Sequence, residues 1–209
     1  MMNTAWAMAW MQALAASIEE QTDYLTQLDS AIGDADHGAN MRRGFAAVLT
    51  ALNGFSAETP GDLLIKVGGT LISSVGGASG PLYGSAFRAI GKALRQPSPS
   101  DEQLRTALAD GLAAIQKLGA AVPGDKTMVD AYAPALAAFE EALKQGGTAA
   151  AATERAADAA EEGARATASL QARKGRASYL GPRSVGHQDP GATSTALMFR
   201  ALAKATAAS

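Results

Sequence analysis

Apolar side chains recur along this chain at spacings of three and four residues, and that period commits it to helices. Trp6, Trp10, Leu14 and Ile18 fall at i, i+4, i+8 and i+12, one stripe of a helix expected to begin at Thr4. Leu63, Leu64, Val67 and Leu71 repeat the pattern behind Thr59-Pro60, a cap followed by proline at the first helical position. Ser100 and Gln103 spell a capping box ahead of Leu104, Leu108, Leu112, Ile115 and Leu118. Tyr132, Leu136, Phe139 and Leu143 trace a further face, and a last helix is expected over Gly191 to Ala207. The alanine-rich stretch from Ala149 to Leu170 reads as a packed helix rather than a spacer. Ala152, Ala156, Ala159, Gly163 and Thr167 put small residues on one side of it. Alternating β-branched runs with hairpin turns are absent. The expectation is an all-α chain of about eight amphipathic helices.

Composition narrows the function. At 47% hydrophobic and 18% charged, 209 residues are enough for one core, so residues 1–209 are read as a single domain. The Pro/Ser-rich Gln96 to Ser100 is a loop inside it. A net charge of −2 leaves no electrostatic footprint for nucleic acid. The absence of cysteine excludes disulfides, thiolate metal sites and cysteine nucleophiles. The apolar start is not a signal peptide, because no Lys or Arg precedes Arg42. No run approaches the roughly 18 apolar residues that span a bilayer. A soluble, cytoplasmic protein without membrane contact is expected.

Helical pattern gives way to glycine in four places, where chemistry is best sought. The first holds Asp29, Asp34 and Asp36, beside His37 and Asn40. Carboxylates this dense repel one another unless a cation sits among them, and a hard ion such as Mg²⁺ takes oxygen ligands. The spacing is not that of an EF-hand, since Gly38 and Phe45 stand where ligands are needed. The second, Ser73 to Pro81, fits a backbone that closely approaches phosphate, and equally a plain helix-to-helix turn. It is not a P-loop, a Rossmann fingerprint or a nucleophile elbow. The third, Val122 to Met128, is turn chemistry with Thr127 placed to cap a helix and Lys126 a candidate point charge for phosphate. The fourth, Gln171 to Gly191, carries Arg173, Lys174, Arg176 and Arg183. These cations suit either a solvated surface or a polyphosphate. So long a polar loop is expected to fold over something. Nothing in the spacing supports a hydrolytic set of Ser79, His187 and Asp189.

Together the four segments resemble the nucleotide-binding L subunits of dihydroxyacetone kinases. The matching strings are Gly33-Asp34-Ala35-Asp36-His37-Gly38-Ala39-Asn40-Met41, Ser73 to Leu82, Pro123-Gly124-Asp125-Lys126-Thr127-Met128, and Ala172 to Ala192. They occur in the family's order and span nearly the whole chain. The resemblance implies an antiparallel barrel of about eight helices with the nucleotide at one end. It implies that Asp29, Asp34 and Asp36 hold a pair of Mg²⁺ ions, and that His37, Gly38, Ala39 and Asn40 contact nucleotide. Ala78 and Ser79 would approach the phosphates, and Gly119, Thr127 and Met128 would line the pocket, with Met128 against the base. Arg176 would reach the phosphates, while Asp189, Pro190 and Gly191 close the pocket. The residues assigned to transfer itself are Asp29, Asp34, Asp36 and Arg176.

The same resemblance implies partners. Dihydroxyacetone is held covalently on a histidine of a separate K subunit, so the L subunit needs metal and positive charge rather than a base. In one version of the family, ADP stays bound as a cofactor and is rephosphorylated in place by a phosphohistidine (M-type) protein fed from phosphoenolpyruvate. In the other, ATP is an exchangeable substrate for phosphorylating dihydroxyacetone or a related short ketose. The absence of a K region favours the first. The metal loop and the Ser-Gly-Pro ending of the glycine loop separate the chain from the related fatty-acid kinases. A nucleotide-sensing module that binds a transcriptional regulator is the non-enzymatic alternative.

Overall fold

The computed structural model describes residues 1–209 as nine α-helices, with no strand. They are α1 (Thr4–Glu20), α2 (Thr22–Ile32), α3 (His37–Leu52), α4 (Pro60–Ser74), α5 (Ser79–Ala93), α6 (Asp101–Gly119), α7 (Val129–Lys144), α8 (Ala149–Ala166) and α9 (Pro190–Ala207). Short 3₁₀ stretches cover Thr167–Ser169 and Arg176–Ser184. The helix starts read from sequence hold. Asn3 accepts from Trp6 N–H, and Thr59 with Asp62 and Ser100 with Gln103 form capping boxes.

Eight helices close a ring. Each of α3 to α9 packs on the next, and α1 packs on both α3 and α9. The first and last helices seal it. Trp6 Nε1 donates to Thr206 Oγ1 and Trp10 Nε1 to Met198 O, each at 3.1 Å, so that α1 and α9 run antiparallel. A core of large side chains fills the ring, including Trp10 against Phe87 and Tyr132 edge-on to Phe199. Two helices of the wall lie unusually close. A Cβ on Gly68 of α4 would meet Gly84 O of α5 at 2.5 Å, and one on Gly84 would meet Gly68 O at 2.7 Å. Only hydrogen at both positions permits that approach.

The structure departs from the sequence reading in three details. Residues 22–32 form the separate helix α2, which lies outside the ring against α3, α9 and the 3₁₀ stretch 176–184. Leu118 is 54% exposed, because the stripe of α6 turns away from the core at its last turn. The buried face of α8 is Ala152, Thr153, Ala156, Ala157, Ala160 and Ala164, so that Ala159 and Gly163 stand at its flank. An ideal helix repeats at 3.6 residues, and a strict count of four drifts off the stripe.

The alternation of an antiparallel barrel explains why the pattern breaks matter. Loops α2–α3, α4–α5, α6–α7 and α8–α9 all emerge at one end, and they are the four glycine-bearing breaks. The loops α3–α4, α5–α6 and α7–α8 lie at the other. Side-chain oxygens of Thr59, Ser100 and Thr148 cap the helices that start at that far end. At the loop-rich end α3, α5 and α7 start without a side-chain bond from their cap residue, and only α9 is capped, by Asp189. Asp29 Oδ2 accepts the first N–H of α3 and Thr127 Oγ1 that of α7, which leaves the first-turn N–H groups of α5 free to carry partial positive charge toward an anion.

Candidate functional site

The four loops enclose a cleft of about 480 Å³. Asp29, Asp34 and Asp36 stand on one side of it, with carboxylate oxygens of all three within 4.8 Å of one another. Asp29 is the buried member, on the last turn of α2. Its Oδ2 accepts the N–H groups of Asp36 (2.8 Å) and His37 (3.0 Å), which folds the loop back over the carboxylate. Gly33 makes room for this arrangement, since a Cβ there would lie 2.0 Å from Asp29 Oδ1. Ala35 takes the left-handed conformation (φ 62°) between the two exposed carboxylates. Arg176 reaches across to Asp34 Oδ2 at 2.9 Å. Three carboxylates form an oxygen-only donor set, which suits a hard divalent ion, with Arg176 beside it.

Gly76, Gly77, Ala78 and Ser79 form another wall of the cleft. Ser79 opens α5 and connects inward. Its Oγ meets His37 Nδ1 at 3.2 Å, and His37 Nε2 meets Ser194 Oγ at 2.9 Å. Ser194 Oγ in turn lies 2.7 Å from the Tyr83 hydroxyl, which also meets Thr195 Oγ1 at 2.9 Å. The first turns of α3, α5 and α9 are thereby knitted together through one imidazole. Burial holds the His37 pKa below its ordinary value, against the pull of Asp29 and Asp36. Burial also pushes the Tyr83 hydroxyl up to about 12, so it stays neutral. Tyr83 and Ser194 were not singled out from sequence. The available signal was their place one turn beyond Ser79 and Pro190, on the same helical faces.

Gly119, Ala121, Met128 and Val129, with Leu82 and Ile115, give the cleft a largely apolar wall. Thr127 stands between this wall and α7, its Oγ1 accepting Val129 N–H at 3.2 Å. Asp189, Pro190 and Gly191 form the rim at the start of α9. Asp189 Oδ2 accepts Ala192 N–H at 2.7 Å, and burial pushes this carboxyl up to about 7. Lys126 does not present its charge as the sequence suggested. Its Nζ donates to the carbonyl oxygens of Thr167 and His187.

Of the residues expected at the site, Asp29, Asp34, Asp36, His37, Ala78, Ser79, Gly119, Thr127, Met128, Arg176, Asp189, Pro190 and Gly191 all line the cleft. Gly38, Ala39 and Asn40 do not. Gly38 is pressed against α2, where a Cβ would meet Thr22 O at 2.1 Å. Ala39 faces solvent. Asn40 lies under Gly76 and accepts from Arg43 at 2.7 Å, so it braces the glycine loop from behind. Of the four loop cations, Lys174 and Arg176 reach the cleft, while Arg173 and Arg183 remain on the exposed side. His187 is exposed and Ser79 pairs with His37, so no hydrolytic set assembles.

Comparison with known proteins agrees with this geometry. The DAK2 domain family matches residues 31–204. The ADP-binding subunit DhaL of the PEP-dependent dihydroxyacetone kinase of Escherichia coli K12 is 45% identical over 197 residues, 94% of each chain. The ADP-binding subunit DhaL of the PTS-dependent dihydroxyacetone kinase of Lactococcus lactis is 43% identical over 95% of each. Among solved structures, the dihydroxyacetone kinase from C. freundii in complex with AMP-PNP and Mg²⁺ superposes with a TM-score of 0.71 at 29% identity. That match covers 97% of this chain, which spans about a third (34%) of the larger kinase. No helix here is long and apolar enough to cross a membrane. The closed ring of antiparallel helices, the loop-rich end and the near full-length similarity converge on one assignment: the chain belongs to the DAK2-domain family, as a relative of the ADP-binding DhaL subunits of dihydroxyacetone kinases.

Proposed function

We propose that this chain is the nucleotide-binding, phosphoryl-transferring subunit of a phosphoenolpyruvate-dependent dihydroxyacetone kinase, with ADP and ATP alternating in the cleft. The observation that carries the reading is the convergence of Asp29, Asp34 and Asp36 opposite a glycine loop and the uncapped start of α5. The donor set fits Mg²⁺, and two ions are proposed because three carboxylates offer six oxygens, only one of which is held by backbone N–H groups. When bound, Mg²⁺ supplies the positive charge that offsets charge on the phosphoryl oxygens.

The chain's own residues do the rest. The first-turn N–H groups of α5 and the backbone of Gly76 to Ser79 bind phosphate oxygens. Arg176 adds a mobile cation from the loop. The apolar wall with Met128 takes the base. Gly38, Ala39 and Asn40 act from behind, by positioning the metal loop and the glycine loop. Both ring nitrogens of His37 are engaged by hydroxyls, Lys126 by carbonyls and Asp189 by a backbone N–H. Neither His37 nor Lys126 is thus free to activate an acceptor alcohol, and the carboxylates that remain are those assigned to metal or to the cap of α9. This supports an acceptor bound and activated on a separate K subunit, and a phosphohistidine M-type protein as the phosphate source. The proposed compartment is the cytoplasm.

Titration calorimetry with ADP, with and without Mg²⁺, of the purified chain first stripped of metal and bound nucleotide with EDTA, tests the reading. Binding that requires Mg²⁺ is expected. No binding of ADP or ATP at any Mg²⁺ concentration would overturn it. Easily exchanged ATP with no preference for ADP would favour an ATP-using kinase of a short ketose instead. Nucleotide binding by a protein that never supports transfer in the presence of partner subunits would favour the regulatory module.

A further inference from the structure

The segment between α8 and α9, residues 167–189, crosses the open end of the barrel as a strap and carries Arg176 to the cleft. Its two ends meet at one buried ammonium. Lys126 is only 1% exposed, and its Nζ donates to Thr167 O (2.6 Å) at the start of the strap and to His187 O at its end. Burial disfavours its charge, and the neighbouring Asp189 and Asp130 carboxylates favour it. The backbone of Lys126 is left-handed, with φ 61°. Glycine adopts that conformation without strain, and burying a lysine is costly, so the side chain itself is what the position requires. Lys126 is followed directly by Thr127 and Met128 on the apolar wall. The two ends also meet directly, Asp189 N–H donating to Thr167 Oγ1 at 2.9 Å and Gly186 N–H to Ala168 O at 2.8 Å. The strap is tied to the body by Arg173 N–H on Asp125 O, by the exposed Arg176–Asp34 pair and by a small apolar cluster of Ile32, Ala172 and Ala177.

We infer that Lys126 is a positioning residue, a clasp whose ammonium ties both ends of the strap to the loop bearing Thr127 and Met128 and so slows departure of a nucleotide from the cleft. The part concerning nucleotide rests on the function proposed above, whereas the clasp itself does not. Lys126→Met keeps the length and removes the charge. Two hydrogen bonds to a charged donor are lost, so ADP dissociation from the Mg²⁺-loaded protein is expected to quicken about tenfold or more with association little changed. Trypsin should cut the strap after Arg173, Lys174, Arg176 and Arg183 faster, with or without nucleotide. Lys126→Gln serves where the Met variant does not fold.

The chain has no cysteine, which permits a rescue that separates the charged donor from the packing of the side chain. Lys126→Cys, alkylated in denaturant with 2-bromoethylamine and refolded, regains an ammonium at the original distance. Alkylation with 1-bromopropane gives the same shape without charge. The aminoethylated protein should recover slow dissociation and resistance to trypsin, and the propylated one should not. Wild-type dissociation and cleavage rates in Lys126→Met, or equal behaviour of the two alkylated proteins, would overturn the inference. Should the wild-type chain bind no nucleotide, the proposed function fails, and strap cleavage alone decides the clasp.

Discussion

Gly33→Ala probes the metal loop without touching a candidate ligand. The new Cβ would lie 2.0 Å from Asp29 Oδ1 and 3.0 Å from its Cγ. Ordinary contact begins near 3.5 Å, so the carboxylate must retreat by more than about 1 Å or the loop must shift. Asp29 has little freedom to retreat, because its Oδ2 holds the N–H groups of Asp36 and His37 at 2.8 and 3.0 Å. Hydrogen bonds to an ionised acceptor contribute about 1.5–3 kcal/mol each. Loss of one corresponds to a fall of about 10- to 150-fold in affinity for Mg²⁺-ADP if the strain falls on the site. The same loss lowers the melting temperature by roughly 3–12 °C for a chain of this size. Calorimetric titration with ADP at saturating Mg²⁺, beside thermal unfolding followed by circular dichroism, measures both. The helical signal should survive. Wild-type affinity together with an unchanged melting temperature would refute the reasoning, since it would mean that Asp29 is not held where the loop geometry requires.

Other consequences can be measured on the same protein. Asp34→Ala and Asp36→Ala are expected to abolish Mg²⁺-dependent nucleotide binding while keeping the helical content, because both side chains are exposed and Asp36 makes no cap bond. Tight binding by both variants would rule out the metal assignment. The Asp189 carboxyl, pushed up to about 7 by burial, binds a proton in the folded chain over a range where the unfolded chain has released it. Its contribution to stability is therefore full below about pH 4 and lost as pH rises through about 7. Asp189→Asn retains the cap and cannot ionise, so its melting temperature should exceed the wild type's at pH 8 and the two should converge near pH 4. A wild-type advantage at pH 8 would contradict this. The isolated, highly pure chain should not phosphorylate dihydroxyacetone with ATP, and robust turnover would remove the need for a partner subunit.

Local rules made much of this structure legible. Thr59-Pro60 and the Ser100/Gln103 box start helices because their side chains satisfy first-turn N–H groups, a purely local matter. The four glycine-bearing breaks were visible too, and alternation of antiparallel helices then delivers them to one end of the barrel. What sequence could not supply was set by contacts far apart in the chain. His37 meets Ser194 across 157 positions, and Lys126 meets Thr167 and His187 across 41 and 61. A lysine in a turn reads as a surface charge until the carbonyls that bury it are seen. Asn40 reads as a ligand from its place in the motif, yet its side chain turns back beneath Gly76. Leu118 sits at the right spacing for the core but lies on the last turn of α6, where the barrel wall ends.

The most direct test of the account is to denature the purified protein, after dialysis in Mg²⁺, and to identify what nucleotide it releases. Near-stoichiometric ADP is the predicted result, as a cofactor retained in the cleft and recharged in place. A protein that releases no nucleotide, and afterwards binds neither ADP nor ATP with Mg²⁺ present, would contradict it.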